Sequence, residues 1–117
     1  MSEISTITTH VLDLTRGQPA TSVGVALERR TAGGEWETLG TAETNVDGRV
    51  VSWTGVPANL PSGRYRLRFA TTEYFARHGL EAFFVDVTVT FEVRDPGRRH
   101  HVPLLLSPYG YSTYRGS

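Results

Sequence analysis

Four places in this 117-residue sequence carry side chains able to move protons or stabilise developing charge. His10 lies in "ITTHVLD", Arg49 in "NVDGRV", His100 and His101 open "HHVPLLL", and Ser117 closes "TYRGS". Imidazole titrates near neutral pH and is the commonest general acid or base. A guanidinium offers a planar fork of donors to a carbonyl, a carboxylate or a urea-like group. Ser117 would bring a hydroxyl and a free carboxylate, next to a glycine that lets the backbone approach closely. The sequence has no cysteine and no lysine, so neither a thiol nor an amine is available as nucleophile. Each place also has an ordinary structural reading. His10 would be a boundary residue on an edge strand, Arg49 a solvated residue at a strand start, and the last residues a loose tail. A zinc site would call for closely spaced ligands such as HxH or HExxH, and no such spacing occurs.

These residues have to be positioned by strands, because the apolar spacing is mostly two. In "RYRLRFAT", Tyr65, Leu67 and Phe69 alternate with Arg64, Arg66 and Arg68. "FFVDVTVTFEVRD" repeats the pattern, with Phe83, Val85, Val87, Val89, Phe91 and Val93 on one side. Val23, Val25 and Leu27 mark another strand and "WETLGTAET" a further one, while "ISTITTHVLD", "GRVVSW", "HHVPLLL" and "YGYSTY" are shorter candidates. Turn residues separate them in "RGQPATS", "TAGGE", "NVDGR", "VPANLPSG" and "RDPGRR". Only "TTEYFARHGL" reads as helix, with Thr71 or Thr72 as N-cap and Gly79 as the stop. Seven or eight short strands and one small helix point to a β-sandwich. Alternation sends Thr8, His10 and Leu12 to one face of their strand and Ile7, Thr9 and Val11 to the other. Neighbours on a strand diverge, so only one of His100 and His101 can share a pocket with His10. "HVPLLL" and "FFVDVTVTFEV" are apolar enough to suggest edge pairing or face packing between copies of the chain.

Bulk properties set the limits. The length suits one domain spanning residues 1–117, and folding should bury roughly two-thirds of the extended chain's surface. A hydrophobic share of 38%, a charged share of 21% and zero formal net charge fit a soluble globular protein. That balance offers no footprint for nucleic acid or an anionic membrane. The start, "MSEISTITTHVLDL", lacks a basic stretch followed by an apolar one, so a cytoplasmic protein is expected.

Taken together, "THVLD", "DGR" and "HVPLLLSPYGYSTYRGS" resemble the 5-hydroxyisourate hydrolases, the transthyretin-like enzymes of purine breakdown. Gly17-Gln18-Pro19-Ala20 matches the family's GxPA, and Tyr74-Phe75 its YF. The resemblance runs through essentially the whole chain, and YRGS is the family's signature. It implies an all-β fold, a transthyretin-like eight-stranded β-sandwich with one short helix, working without metal or organic cofactor. It also implies a homotetramer whose pockets lie at the dimer–dimer interface, lined by His10, Arg49, His101, Tyr114, Arg115, Gly116 and Ser117. Two stretches depart from the family pattern. Arg99-His100-His101 stands where HYH is usual, and Val85-Asp86 follows Phe83-Phe84 where FFPE is common.

The reaction implied is hydrolytic opening of the six-membered ring of 5-hydroxyisourate to 2-oxo-4-hydroxy-4-carboxy-5-ureidoimidazoline. One of His10 and His101 would take a proton from water, and the other would hold the water or donate to the departing nitrogen. Arg49 would grip the oxygen-rich edge of the substrate, with Ser117 as orienting group and Tyr114, Arg115 and Gly116 as binding residues. Two alternatives have the same outline: a carrier of thyroid hormone-like ligands, and a non-catalytic sandwich module. The carrier reading has no use for His10, Arg49, His101 and YRGS.

Overall fold

The computed structural model describes residues 3–117. Two sheets face each other. The first contains β1 (Ile7–Asp13), β2 (Gln18–Pro19), β5 (Arg49–Val50), β8 (His100–Ser107) and β9 (Gly110–Thr113). Their order is β2-β1-β8-β9, with β5 also paired to β1. The second holds β3 (Gly24–Arg30), β4 (Trp36–Glu43), β6 (Gly63–Phe69) and β7 (Val87–Val93) in the order β4-β3-β6-β7. All pairings are antiparallel except β1 with β8, which run parallel. The helix α1 (Thr71–Arg77) follows β6.

The core forms where the alternating residues of both sheets meet. Ile7, Val11, Leu104 and Leu106 come from the first sheet, and Val25, Leu27, Leu67 and Phe69 from the second, all buried. Tyr65 keeps its ring in the core and donates its hydroxyl to the Pro61 carbonyl at 2.7 Å, which satisfies the one polar atom it buries. Trp53, from the loop after β5, donates its indole N–H to the Ile7 carbonyl at 3.0 Å. At one end Tyr74 and Phe75 of α1 pack edge to face at 5.3 Å. The Tyr74 hydroxyl donates to the buried Asp13 carboxylate at 2.6 Å, and burial followed by that carboxylate pushes the Tyr74 phenol up to about 12.

On the outer face of the second sheet, Arg66 and Arg68 of "RYRLRF" converge on one acid, while Arg64 lies 4.0 Å from Glu92. Glu28 is nearly inaccessible and accepts hydrogen bonds from Arg66, from Arg68 at 2.8 Å and from Thr38 at 2.9 Å. Burial alone would raise its carboxyl. The hydrogen bonds from Arg66 and Thr38 and the charges of Arg68 and Arg66 outweigh that and lower it.

Several expectations need adjusting. The long apolar strand begins at Val87 rather than Phe83, and Phe83 and Val85 are exposed in the preceding loop. The Phe83 N–H donates to the Pro108 carbonyl, so this loop is tied to the β8–β9 turn instead of to β6. "HVPLLL" is no edge, because β1 and β9 occupy both of its sides. Neither threonine caps α1. Ala70 is the capping position and no side chain bonds the first turn. The Thr72 hydroxyl goes instead to the Val85 carbonyl, and the buried Thr71 hydroxyl has no partner among the described residues. Gly79 does close the helix, at φ +71°. The count of eight strands becomes nine among the described residues, since the two-residue β2 pairs within "RGQPATS", a stretch expected to be turn.

Candidate active site

Three strands bring the histidines and the arginine to one face. Along β1, Ile7, Thr9 and Val11 are fully buried toward the core, so Thr8, His10 and Leu12 take the opposite face. β8 lies parallel to β1 with His101 opposite Thr8 and Pro103 opposite His10. β5 lies on the other side of β1 with Arg49 opposite His10. Paired residues share a face, so this register sets His10, Arg49 and His101 side by side.

The turn before Arg49 is fixed by "NVDG". The Asn45 side-chain oxygen accepts from the Asp47 N–H at 2.9 Å and the Arg49 N–H at 3.0 Å. Gly48 has φ +75°, the left-handed region that glycine enters without penalty. Its carbonyl accepts from the Val11 N–H at 2.7 Å, which fastens the turn to β1.

The last residues close the site from the β9 side. Leu104 pairs with Thr113, and the same register continues to a bridge between His101 and Gly116. There the Gly116 N–H donates to the His101 carbonyl at 2.9 Å. A Cβ on Gly116 would stand 2.5 Å from His101 Cδ2, closer than side-chain atoms approach. Glycine is required here by the imidazole, since any side chain would move the ring.

The electrostatics favour the neutral form of both imidazoles. Burial, then the Arg49 charge, lowers His10, and the backbone and carboxylate of Asp47 offset part of this. Burial, Arg49 and His10 in that order lower His101. Two imidazoles that repel each other's proton are close enough to titrate as a pair.

The other expected residues flank this cluster, and Tyr114 and Arg115 line a cavity of about 260 Å³ together with His100 and His101. Tyr114 is more than half exposed, on the extension of β9. Arg115 turns aside and donates to the Arg99 carbonyl at 3.4 Å. With Arg98, Arg99, Gly116 and Ser117 it lines a cleft of about 460 Å³ that adjoins the His101 end of the site. His100 is buried on the other face, where Nδ1 donates to the Arg98 carbonyl at 2.9 Å, and burial chiefly lowers it. His78 lies apart, against Arg16 and the Tyr74 ring. One contact lay outside the sequence reasoning. The Thr8 hydroxyl is 2.8 Å from His101 Nδ1. Its trace in the sequence was only its place two residues before His10.

A cleft of about 700 Å³ lies elsewhere, against β3, β4 and β6 and the start of α1. It holds Arg68, Glu73 and Asp86 but no histidine, so size and chemistry point to different places. The histidine face is an open shelf on the single chain. Among the described residues no group of three or more His, Cys, Asp or Glu could hold a metal ion. No helix among them is long and apolar enough to cross a membrane.

A two-sheet sandwich with paired histidines and an arginine on one outer face defines a transthyretin-like protein equipped for proton transfer. The chain belongs to the HIUase/Transthyretin family, whose model matches residues 7–116. It is 42% identical to the 5-hydroxyisourate hydrolase of Mus musculus over 117 residues, 99% of this chain and 98% of that protein. The enzyme of the same name from Halalkalibacterium halodurans is 44% identical over 115 residues, 95% of this chain and 97% of that one. Among solved structures, Klebsiella pneumoniae 5-hydroxyisourate hydrolase superposes with TM-score 0.81 at 40% identity, covering 95% and 98% of the two chains. Sparus aurata transthyretin superposes with TM-score 0.86 at 29% identity, covering 94% and 95%.

Proposed function

We propose that this chain is a hydrolase of 5-hydroxyisourate, acting in urate breakdown. The observation that carries the reading is the shared register of β5, β1 and β8, which sets Arg49, His10 and His101 on one face. Curated relatives with that enzyme name match at 42–44% identity over nearly the whole chain. The slightly higher TM-score of transthyretin reports the backbone, which carrier and enzyme share. A carrier has no use for two neutral imidazoles beside a guanidinium.

In this reading a water oxygen attacks the amide-like ring carbonyl while one imidazole removes a water proton. Arg49 stabilises the negative charge on the tetrahedral centre. The C–N bond then breaks as the departing nitrogen takes the proton held by that imidazolium, with the other imidazole's N–H hydrogen-bonded to it. The new carboxylic acid releases its proton to solvent to leave a carboxylate. Such general acid–base help contributes on the order of 10²–10⁴-fold. Tyr114, Arg115 and Ser117 serve as further walls of the pocket, and Gly116 as the close backbone approach.

The open shelf on the single chain supports a homotetramer in which neighbouring copies roof the pocket. The free sheet edges at β7 and β9 offer the pairing surfaces. The lack of cysteine accords with a cytoplasmic setting. Purified protein should speed the loss of freshly made 5-hydroxyisourate, followed by its ultraviolet absorbance. His10→Ala and His101→Ala should each lose roughly 10²-fold or more in kcat. Decay at the spontaneous rate with wild-type protein would end the enzyme reading.

A further inference from the structure

The mechanism leaves two histidines with interchangeable roles, and the contact at Thr8 separates them. Thr8 lies directly across the parallel β1–β8 pairing from His101 and is nearly buried. Its hydroxyl has one hydrogen-bond partner among the described residues, the His101 Nδ1 at 2.8 Å. A buried hydroxyl whose proton finds no acceptor forfeits its hydration without return. The acceptor within reach here is the Nδ1 lone pair. On the opposite edge of the ring, a Cβ at position 116 would stand 2.5 Å from Cδ2, so glycine there leaves the ring its place. The imidazole is therefore bonded at Nδ1 and accommodated at Cδ2, which leaves Nε2 as the nitrogen free to face the site.

We propose that Thr8 is a positioning residue: its hydroxyl donates to Nδ1 of His101 and holds the neutral ring with its proton on Nε2. An Nε2–H points a donor at the substrate and has no lone pair to receive a proton from water. His101 is then the group whose Nε2–H donates a hydrogen bond to the departing ring nitrogen. His10 is the base that receives the water proton and, as imidazolium, delivers it to that nitrogen as the C–N bond breaks. The reduced basicity of both rings favours their neutral form at pH 7, as this division requires. The catalytic roles rest on the hydrolase reading, whereas the tautomer does not.

The test is nitrogen NMR on histidine-labelled protein at a pH well above 6.5, with the His101 signals assigned by their absence in His101→Asn. Wild-type protein should show a protonated Nε2 and an acceptor-type Nδ1 at His101. Thr8→Val keeps the shape without the hydroxyl, and its His101 ring should divide between the two tautomers. Its kcat should fall about tenfold, a part of what a placed proton donor contributes, with KM within about twofold. Thr8→Ser should restore both the tautomer and kcat. A protonated Nδ1 in the wild-type protein overturns the proposal, and so does an unchanged tautomer in Thr8→Val. Should Thr8→Val fail to fold, the wild-type spectrum still decides. An Nε2–H ring in a protein that does not accelerate hydrolysis would support the tautomer and remove the hydrolase reading instead.

Discussion

At the scale of single residues, His101 shows how little freedom a reacting group is given. Thr8 meets one edge of its ring and Gly116 the other. Replacing Gly116 by alanine puts a methyl 2.5 Å from Cδ2, so ring or backbone has to shift. Displacements of about 1 Å in a reacting group cost up to roughly 10²-fold. Gly116→Ala should therefore lose tenfold or more in kcat, on the order of that figure. Its melting temperature should barely change, because Gly116 belongs to no core cluster. A calorimetric scan beside the hydrolysis assay checks both. The pH dependence follows from the same site. Burial and the Arg49 charge hold the imidazoles below their ordinary value of 6.5, so the proton-accepting form persists into mildly acidic solution. The expected profile of kcat/KM is flat above pH 6.5 and falls only as pH drops through the lowered values. Removing the neighbouring charge with Arg49→Gln should move the falling limb to higher pH. A limb that stays in place would mean that the guanidinium does not reach the histidines.

At the scale of elements, the "NVDGR" turn and β1 act as one piece. Gly48 combines φ +75° with a carbonyl bonded to the Val11 N–H, and a Cβ there would stand 2.5 Å from the Val11 carbonyl oxygen. Left-handed backbone at a non-glycine residue costs of order 1–3 kcal/mol. Gly48→Ala should thus destabilise the fold by about 2 kcal/mol or more, read as a lowered urea midpoint. It should also reduce activity more than Gly34→Ala, a comparable left-handed glycine in the turn between β3 and β4, far from the histidines. The strands of the sandwich were legible because one face of each is buried and the side-chain period is two. "RYRLRF" and "ITTHVLD" show this alternation directly. The start of β7 was not legible. Phe83 and Val85 keep the period of a strand, yet their backbone bonds lead to Pro108 and Thr72 rather than to a neighbouring strand. The helix cap was misread for a related reason. Thr71 is drawn into the interior and Thr72 toward Val85, so tertiary contacts claim both hydroxyls' positions.

At the scale of the whole molecule, the single chain leaves an aromatic cluster in the open. Phe83, Phe84 and Tyr111 meet edge to face at 5.0 and 5.3 Å beside the β9 edge, with Phe83 71% exposed. Surface of this kind is ordinarily covered by a partner. In the tetramer reading, sedimentation should return the mass of four 12.9 kDa chains. Phe83→Ser should dissociate them and lower activity in step with the loss of mass. Activity that survives in a monomer would show that one chain's shelf suffices. By itself the sequence determined the class of fold, through its period-two faces, and named the candidate site residues, through "THVLD", "DGR" and "HVPLLLSPYGYSTYRGS". Those are local properties, carried by residue type and by spacing along the chain. The tertiary structure alone decided how these pieces meet: β8 and β5 carry His101 and Arg49 to either side of His10 on β1, the Thr8 hydroxyl reaches His101 Nδ1, and Gly116 lies where only glycine leaves the ring its place. Each of these depends on register between strands far apart in the chain, and register is set by how two faces pack, which no local spacing records.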